Sequence, residues 1–115
     1  MLLLVFLNFI LQLEIVLDAI LKALRDCDTA IRWSAAKGVG RVASRLPKNL
    51  AEDVVRSILM FNFDDLSGHA AWHGGCLAIA ELARRGYLAV DVLPEVVVIL
   101  KKVLLLSHCT TQLYT

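Results

Sequence analysis

At 115 residues the chain has room for one domain with a modest core. Its 12 basic and 11 acidic side chains leave a formal charge of +1, which excludes the large basic excess of a general nucleic-acid binder. Hydrophobic residues reach 58% with only 7% aromatic, so the surplus is Leu, Val, Ile and Ala. Such a composition suits a membrane segment or a slice of a larger assembly whose faces expect neighbours. Three widely spaced cysteines, Cys27, Cys76 and Cys109, make neither a disulfide framework nor a CxxC site, which suits a reducing compartment.

The chain starts with MLLLVFLNFILQL, residues 1–13, an uncharged run as long as a signal-peptide apolar region. No Lys or Arg precedes it and no small-x-small cleavage pattern follows. Glu14, Asp18 and Lys22 interrupt it before about 18 apolar residues, which argues against a conventional spanning helix. Targeting, a buried or interface helix, and an artificial chain start remain open for this run. EIVLDAILKALRD then reads as a helix, with Ile15, Leu17, Leu21 and Leu24 at helical spacing. Asp26, Cys27 and Asp28 form a turn, and the Asp28 carboxylate is placed to cap a second helix over 29–45.

Pro47 and Asn49 mark a break before a third helix, about 50–61, that buries Val54, Val55, Ile58 and Leu59. NFDDLSGH reads as a loop. A fourth helix spans about 69–85 and stops at Gly86, a suitable C-terminal cap. Pro94 opens a fifth, about 94–106, whose VVVIL at 96–100 fits a buried helix. Residues from Ser107 onward lack a packing pattern and are expected to be loose or a frayed continuation. No stretch alternates with a period of two, so the predicted class is all-α.

Residues 29–60 repeat over 69–100 at an offset of 40. Ala36 meets Cys76, Val39 meets Ile79, Val42 meets Leu82 and Ala43 meets Ala83, while Ile58 and Leu59 meet Val98 and Ile99. A period near 40 in two-helix units is the spacing of HEAT and armadillo repeats, in which stacking hides the face that one unit cannot bury alone. DCDTAIRWSAAKGVGRVA, residues 26–43, resembles the HEAT signature, with Asp28, Ile31, Arg32, Ala35, Ala36 and Val39 on its positions. In the second copy Ala71 and Trp72 stand where Ile31 and Arg32 do, so the signature arginine is absent there.

RWSAAKGVGRVASRLP at 32–47, EDVV at 52–55 and AWHGGCLAIAELARRG at 71–86 together resemble the tubulin-folding cofactor D family over about residues 14–106. The resemblance implies a HEAT/armadillo-like α-solenoid fragment of about two and a half units, with 1–13 and 107–115 outside the family pattern. On this reading the chain is an interior slice with unrelated ends. It further implies beta-tubulin as a partner, together with other tubulin-folding cofactors and an Arf-like small GTPase, in assembling or dismantling the tubulin heterodimer. A contribution to activating GTP hydrolysis follows, without an active site or cofactor in this chain, as does a place in the cytoplasm, at the microtubule cytoskeleton or the centrosome. The alternatives are a generic HEAT-type binding scaffold and a small membrane-targeted protein acting through residues 1–13.

Candidate sites need weighing against ordinary packing. GVGRVA at 38–43 fits the written GxGxxA of a dinucleotide turn, but no strand precedes it, and two glycines suit close helix packing. His69, His73 and Cys76 fall at i, i+4 and i+7 with donor atoms that zinc accepts, but no fourth ligand is obvious. Cys76 sits where Ala36 does, as a small hydrophobe. Lys37, Arg41 and Arg45 form a basic stripe at i, i+4 and i+8, either a solvated face or a strip for an acidic protein. The stripe's counterparts in the next unit are Leu77, Glu81 and Arg85. Trp33 is expected in the core and Trp72 either in the core or as an anchor. The residues read as possible protein contacts are therefore Lys37, Arg41, Arg45, Trp72, Glu81 and Arg85. With apolar sequence at both ends of the stack, the isolated chain is expected to self-associate.

Overall fold

The computed structural model describes the backbone of residues 1–113 and the side chains of residues 1–107. Five helices follow one another: α1 (Leu2–Ala23), α2 (Thr29–Ala43), α3 (Lys48–Phe61), α4 (Gly68–Arg84) and α5 (Leu93–Leu113), the last entered through a 3-10 turn at Val90–Val92. No strand occurs among the described residues. The all-α expectation holds, and the helices form an elongated body 64 × 31 × 23 Å in extent.

Local chemistry sets the helix ends. The Asp28 carboxylate accepts from the Ala30 amide at 2.8 Å, satisfying one of the orphan donors at the start of α2. Helix α2 finishes at Ala43, two residues before the expected end, and the Arg45 and Leu46 amides close tighter i−3 bonds to Val42 and Ala43. The following Pro47 explains this, because its ring disfavours helical geometry in the residue before it. The Pro47 carbonyl then accepts from the Leu50 and Ala51 amides, so α3 starts at Lys48 and takes Asn49 into its first turn. At the end of α4, Gly86 has φ +83° and its amide bonds Ala83, while the Tyr87 amide reaches Leu82. This paired closure needs a residue that tolerates the left-handed region.

Helix α1 runs unbroken from the apolar start through Glu14, since nothing from Leu2 to Ala23 is Gly or Pro. It has 22 residues against 15 in α2, so roughly two turns overhang its partner, and residues 1–9 are all exposed. Only its C-terminal half packs, through Leu17, Ile20, Leu21, Ala23 and the fully buried Leu24. Ile15, expected beside them, is 69% exposed. At about 100° per residue it lies on the opposite side of the helix from Leu17, Leu21 and Leu24.

The helices follow in antiparallel succession, α1 before α2 and α3 before α4, with α5 after them. Helices α2 and α4 lie side by side. Arg32 reaches His73, 41 residues on, and Gly40 packs against Glu81 at the same spacing. Two such points in one register mean that α2 and α4 run in the same direction, with a shift close to the 40-residue repeat. Ala36, Val39 and Ala43 of α2, Val54, Val55, Ile58 and Leu59 of α3, and Ala78, Ile79 and Leu82 of α4 fill the core between them.

Helix α5 departs from expectation. Val96 is buried and Ile99 half-buried, but Val97, Val98 and Leu100 are exposed. Of their counterparts 40 residues back, Ile58 is buried beneath α2 and α4, whereas Met60 is exposed as Leu100 is; α5 has no such second helix over Val98 among the described residues. Its backbone continues as helix through Leu113, and the side chains of the terminal segment from residue 108 lie outside the described part.

Candidate protein-docking surface

The exposed side of α2 carries the basic stripe. Lys37 and Arg41 are exposed on the helix, and Arg45 is exposed on the turn that follows it. None of the three side chains forms an ion pair among the described residues, whereas Lys22, Arg56, Arg84 and Arg85 each meet a carboxylate. Trp33, expected in the core, is 51% exposed. It stands at the margin of the buried arc made by Arg32, Ala36, Val39 and Ala43, and so heads the stripe four residues before Lys37. Its ring lies edge-on to His73, centroids 6.4 Å apart. Its i−4 spacing from Lys37 puts it on the same side of the helix as the stripe.

The other candidates are held within the joints of the stack. Glu81 and Arg85 pack over Gly40, where a Cβ would come within 2.8 Å of both side chains. The Glu81 carboxylate accepts from Arg84 and from Arg85. The hydrogen bond from Arg84 is the main cause holding its carboxyl below the usual glutamate range, against a smaller opposing effect of burial. A depressed carboxyl stabilises the fold above its unfolded value of 4.5 and loses that contribution as pH falls through the folded value. Acid titration of the melting temperature from about pH 5 to about pH 3 should therefore fall less steeply in Glu81→Gln than in the parent chain.

Trp72 is partly covered, donating from Nε1 to the Asp64 carbonyl at 3.0 Å and meeting Phe63 edge-to-face at 5.4 Å. It pins the 62–67 loop onto α4. Asn62 does the same from within the loop: 1% exposed, it donates to the Ala71 carbonyl at 3.1 Å. Composition alone had marked this residue only as part of a polar loop.

His69, His73 and Cys76 do share one face, lining a cavity of ≈ 290 Å³ with Trp72 and Val103. Among the described residues no group of three donor side chains is placed to hold a metal. His73 is engaged otherwise, its Nδ1 accepting from Arg32 Nε at 3.0 Å. Burial pushes the Cys76 thiol up, away from the nucleophilic thiolate. Gly38 and Gly40 lie in mid-helix in α2, where amides serve the helical ladder and face no phosphate. What the exposed side of α2 presents is three cations with an exposed indole at one end.

Comparison with known proteins came to the same architecture. A family described as "Tubulin-specific chaperone D-like, ARM repeats" matches residues 7–113, a span that begins inside the apolar run and ends in the C-terminal segment. Tubulin-specific chaperone D of Dictyostelium discoideum is 46% identical over 80 residues, covering 66% of this chain. Tubulin-folding cofactor D of Schizosaccharomyces pombe is 34% identical over 91 residues, covering 68%. The aligned parts are 5% and 8% of those relatives' own lengths, so the chain spans a small fraction of either. No solved structure matches.

Proposed function

Because the chain belongs to the tubulin-specific chaperone D-like family, we propose that it is a helical docking segment of a tubulin-folding chaperone, with beta-tubulin as its partner. The supporting observation is the exposed, unpaired stripe of Lys37, Arg41 and Arg45 headed by Trp33. It extends over about 18 Å of helix, the scale of one acidic protein surface. The role is binding: the segment holds and orients tubulin while other folding cofactors and an Arf-like small GTPase complete the assembly in the cytoplasm. Any stimulation of GTP hydrolysis acts through the geometry imposed on tubulin, with no catalytic group from this chain.

Replacing Lys37, Arg41 and Arg45 together by Glu should weaken binding to purified tubulin more than tenfold at low salt. Such exposed charges act mainly on association rate, so the loss should shrink as salt rises. Trp33→Ala should weaken binding mainly by speeding dissociation, as loss of an aromatic contact at the end of the stripe does. Helicity should be unchanged in both, since all four side chains are exposed. Equal low-salt affinity of the parent and triple variant reduces the stripe to a solvated face.

A further inference from the structure

The face with which α2 seats α4 includes Arg32, Ala36, Val39, Gly40 and Ala43. Forty residues on, the same positions of α4 are Trp72, Cys76, Ile79, Ala80 and Ala83. These line two apolar cavities of ≈ 290 Å³ each, in the seam between α4 and α5. The helix-seating face is thus present a second time and only partly filled. Elsewhere in the molecule, the first turns of α1 carry Leu3, Leu4, Val5, Phe6, Leu7 and Phe9, all exposed and touching no other helix core.

We propose that the α4–α5 groove seats the overhanging end of α1 from a second copy of this chain. Three observations select that occupant. The groove continues the α2–α4 interface in the same register, so its shape is that of a helix seat. Its cavities admit Leu- and Phe-sized knobs, and the α1 end is built from those residues. No charged side chain occurs in residues 1–13, so none is desolvated when this end enters an apolar groove. Each α1 end offers apolar surface on the order of 500 Å². Two reciprocal seatings, counting both partners, bury on the order of 2,000 Å², within the range of stable interfaces.

A membrane is the competing destination, because Leu2–Ala23 is long and apolar enough to cross one by length and composition. The packing disfavours it. Leu17, Ile20, Leu21 and Ala23 are packed on the core, and an exposed Asp18–Lys22 ion pair lies among them. The uncharged part alone is about 20 Å long, short of the roughly 30 Å hydrocarbon layer.

Sedimentation velocity of the full chain over a concentration series tests the proposal through two variants at exposed positions. Phe6→Asp spoils the α1 end and leaves the groove intact, whereas Ala80→Glu puts a charge in the groove and leaves the end intact. Each alone should dissociate at concentrations at least tenfold higher than the parent, with unchanged helicity and melting. An equimolar mixture of the two should regain association, because one of the two seatings is again complete. A parent chain that stays monomeric, variants that associate like the parent, or a mixture that stays apart overturns the proposal. Flotation with phosphatidylcholine–phosphatidylserine vesicles that Phe6→Asp abolishes, combined with monomeric sedimentation, assigns the α1 end to a lipid surface instead.

Discussion

Gly74→Ala should destabilise the chain by about 3 kcal/mol or more, the upper end of what overpacking costs. A Cβ at Gly74 would overlap the Leu24 carbonyl oxygen and lie 2.7 Å from its carbon. The obstacle is main chain at the end of α1, so no rotamer change can relieve it. Either α4 moves off the α1–α2 turn or that turn deforms, and the first of these opens the α2–α4 core. Gly38→Ala is the matched control. Its Cβ would meet only Ile20 side-chain atoms at 3.8 and 3.9 Å, an ordinary contact, and alanine gains about 1 kcal/mol of helix propensity over glycine. Urea unfolding of both variants should therefore give changes of opposite sign. A Gly74→Ala chain as stable as the parent would mean that α4 does not approach Leu24 this closely.

Arg32→Ala should cost about 3 kcal/mol, from loss of charge-assisted bonds and the polar atoms left behind. Arg32 is 9% exposed, and its guanidinium uses each of its nitrogens. Nη1 donates to the Asp26 and Cys27 carbonyls at 2.7 and 3.1 Å, Nη2 to the Thr29 hydroxyl at 3.0 Å, and Nε to His73 Nδ1 at 3.0 Å. One side chain thus closes the α1–α2 turn and ties it to α4 in the next unit. Lysine keeps the charge but has no planar fork, so Arg32→Lys should recover less than half of the loss. His73→Leu should cost less than Arg32→Ala, because three of the four acceptors keep their donor. Chemical denaturation of the three variants gives this order, and an Arg32→Lys chain matching the parent would show that charge matters here and geometry does not.

These two positions also show how far reading along the chain could reach. Arg32 was recognisable from the spacing DCDTAIR, in which an aspartate turn precedes an aliphatic–arginine pair. Its His73 partner was not, because a bond across 41 residues leaves no local pattern. His73 instead looked like a zinc-type donor beside His69 and Cys76, a grouping that helical spacing does produce and that the arginine then occupies. Gly74 and Gly75 read as small residues in an AxHGGC run, yet only the packed helices show that one faces backbone and the other the Phe63 ring.

The candidate surface divides in the same way. Lys37, Arg41 and Arg45 were legible because their spacing and charge are properties of one helix. That Glu81 and Arg85 lie over Gly40 while Trp33 stands in solvent depends on how α4 sits on α2, which no single helix reveals.

The sequence by itself determined the helices from Glu14 onward to within a few residues, the Asp28 and Gly86 caps, the 40-residue period and the likeness to one repeat family, since all of these rest on contacts within a few residues or on a pattern recurring along the chain. Only the tertiary structure decided which apolar residues are covered. Val55 and Leu4 are equally hydrophobic in a helix, but Val55 is fully buried between neighbours and Leu4 is 70% exposed on an overhang. Burial is a property of what lies opposite, and in a stack of helices what lies opposite belongs to another unit. The lengths of α1 and α2, and the lack of cover on α5 among the described residues, therefore left exposed what hydropathy alone would have placed inside.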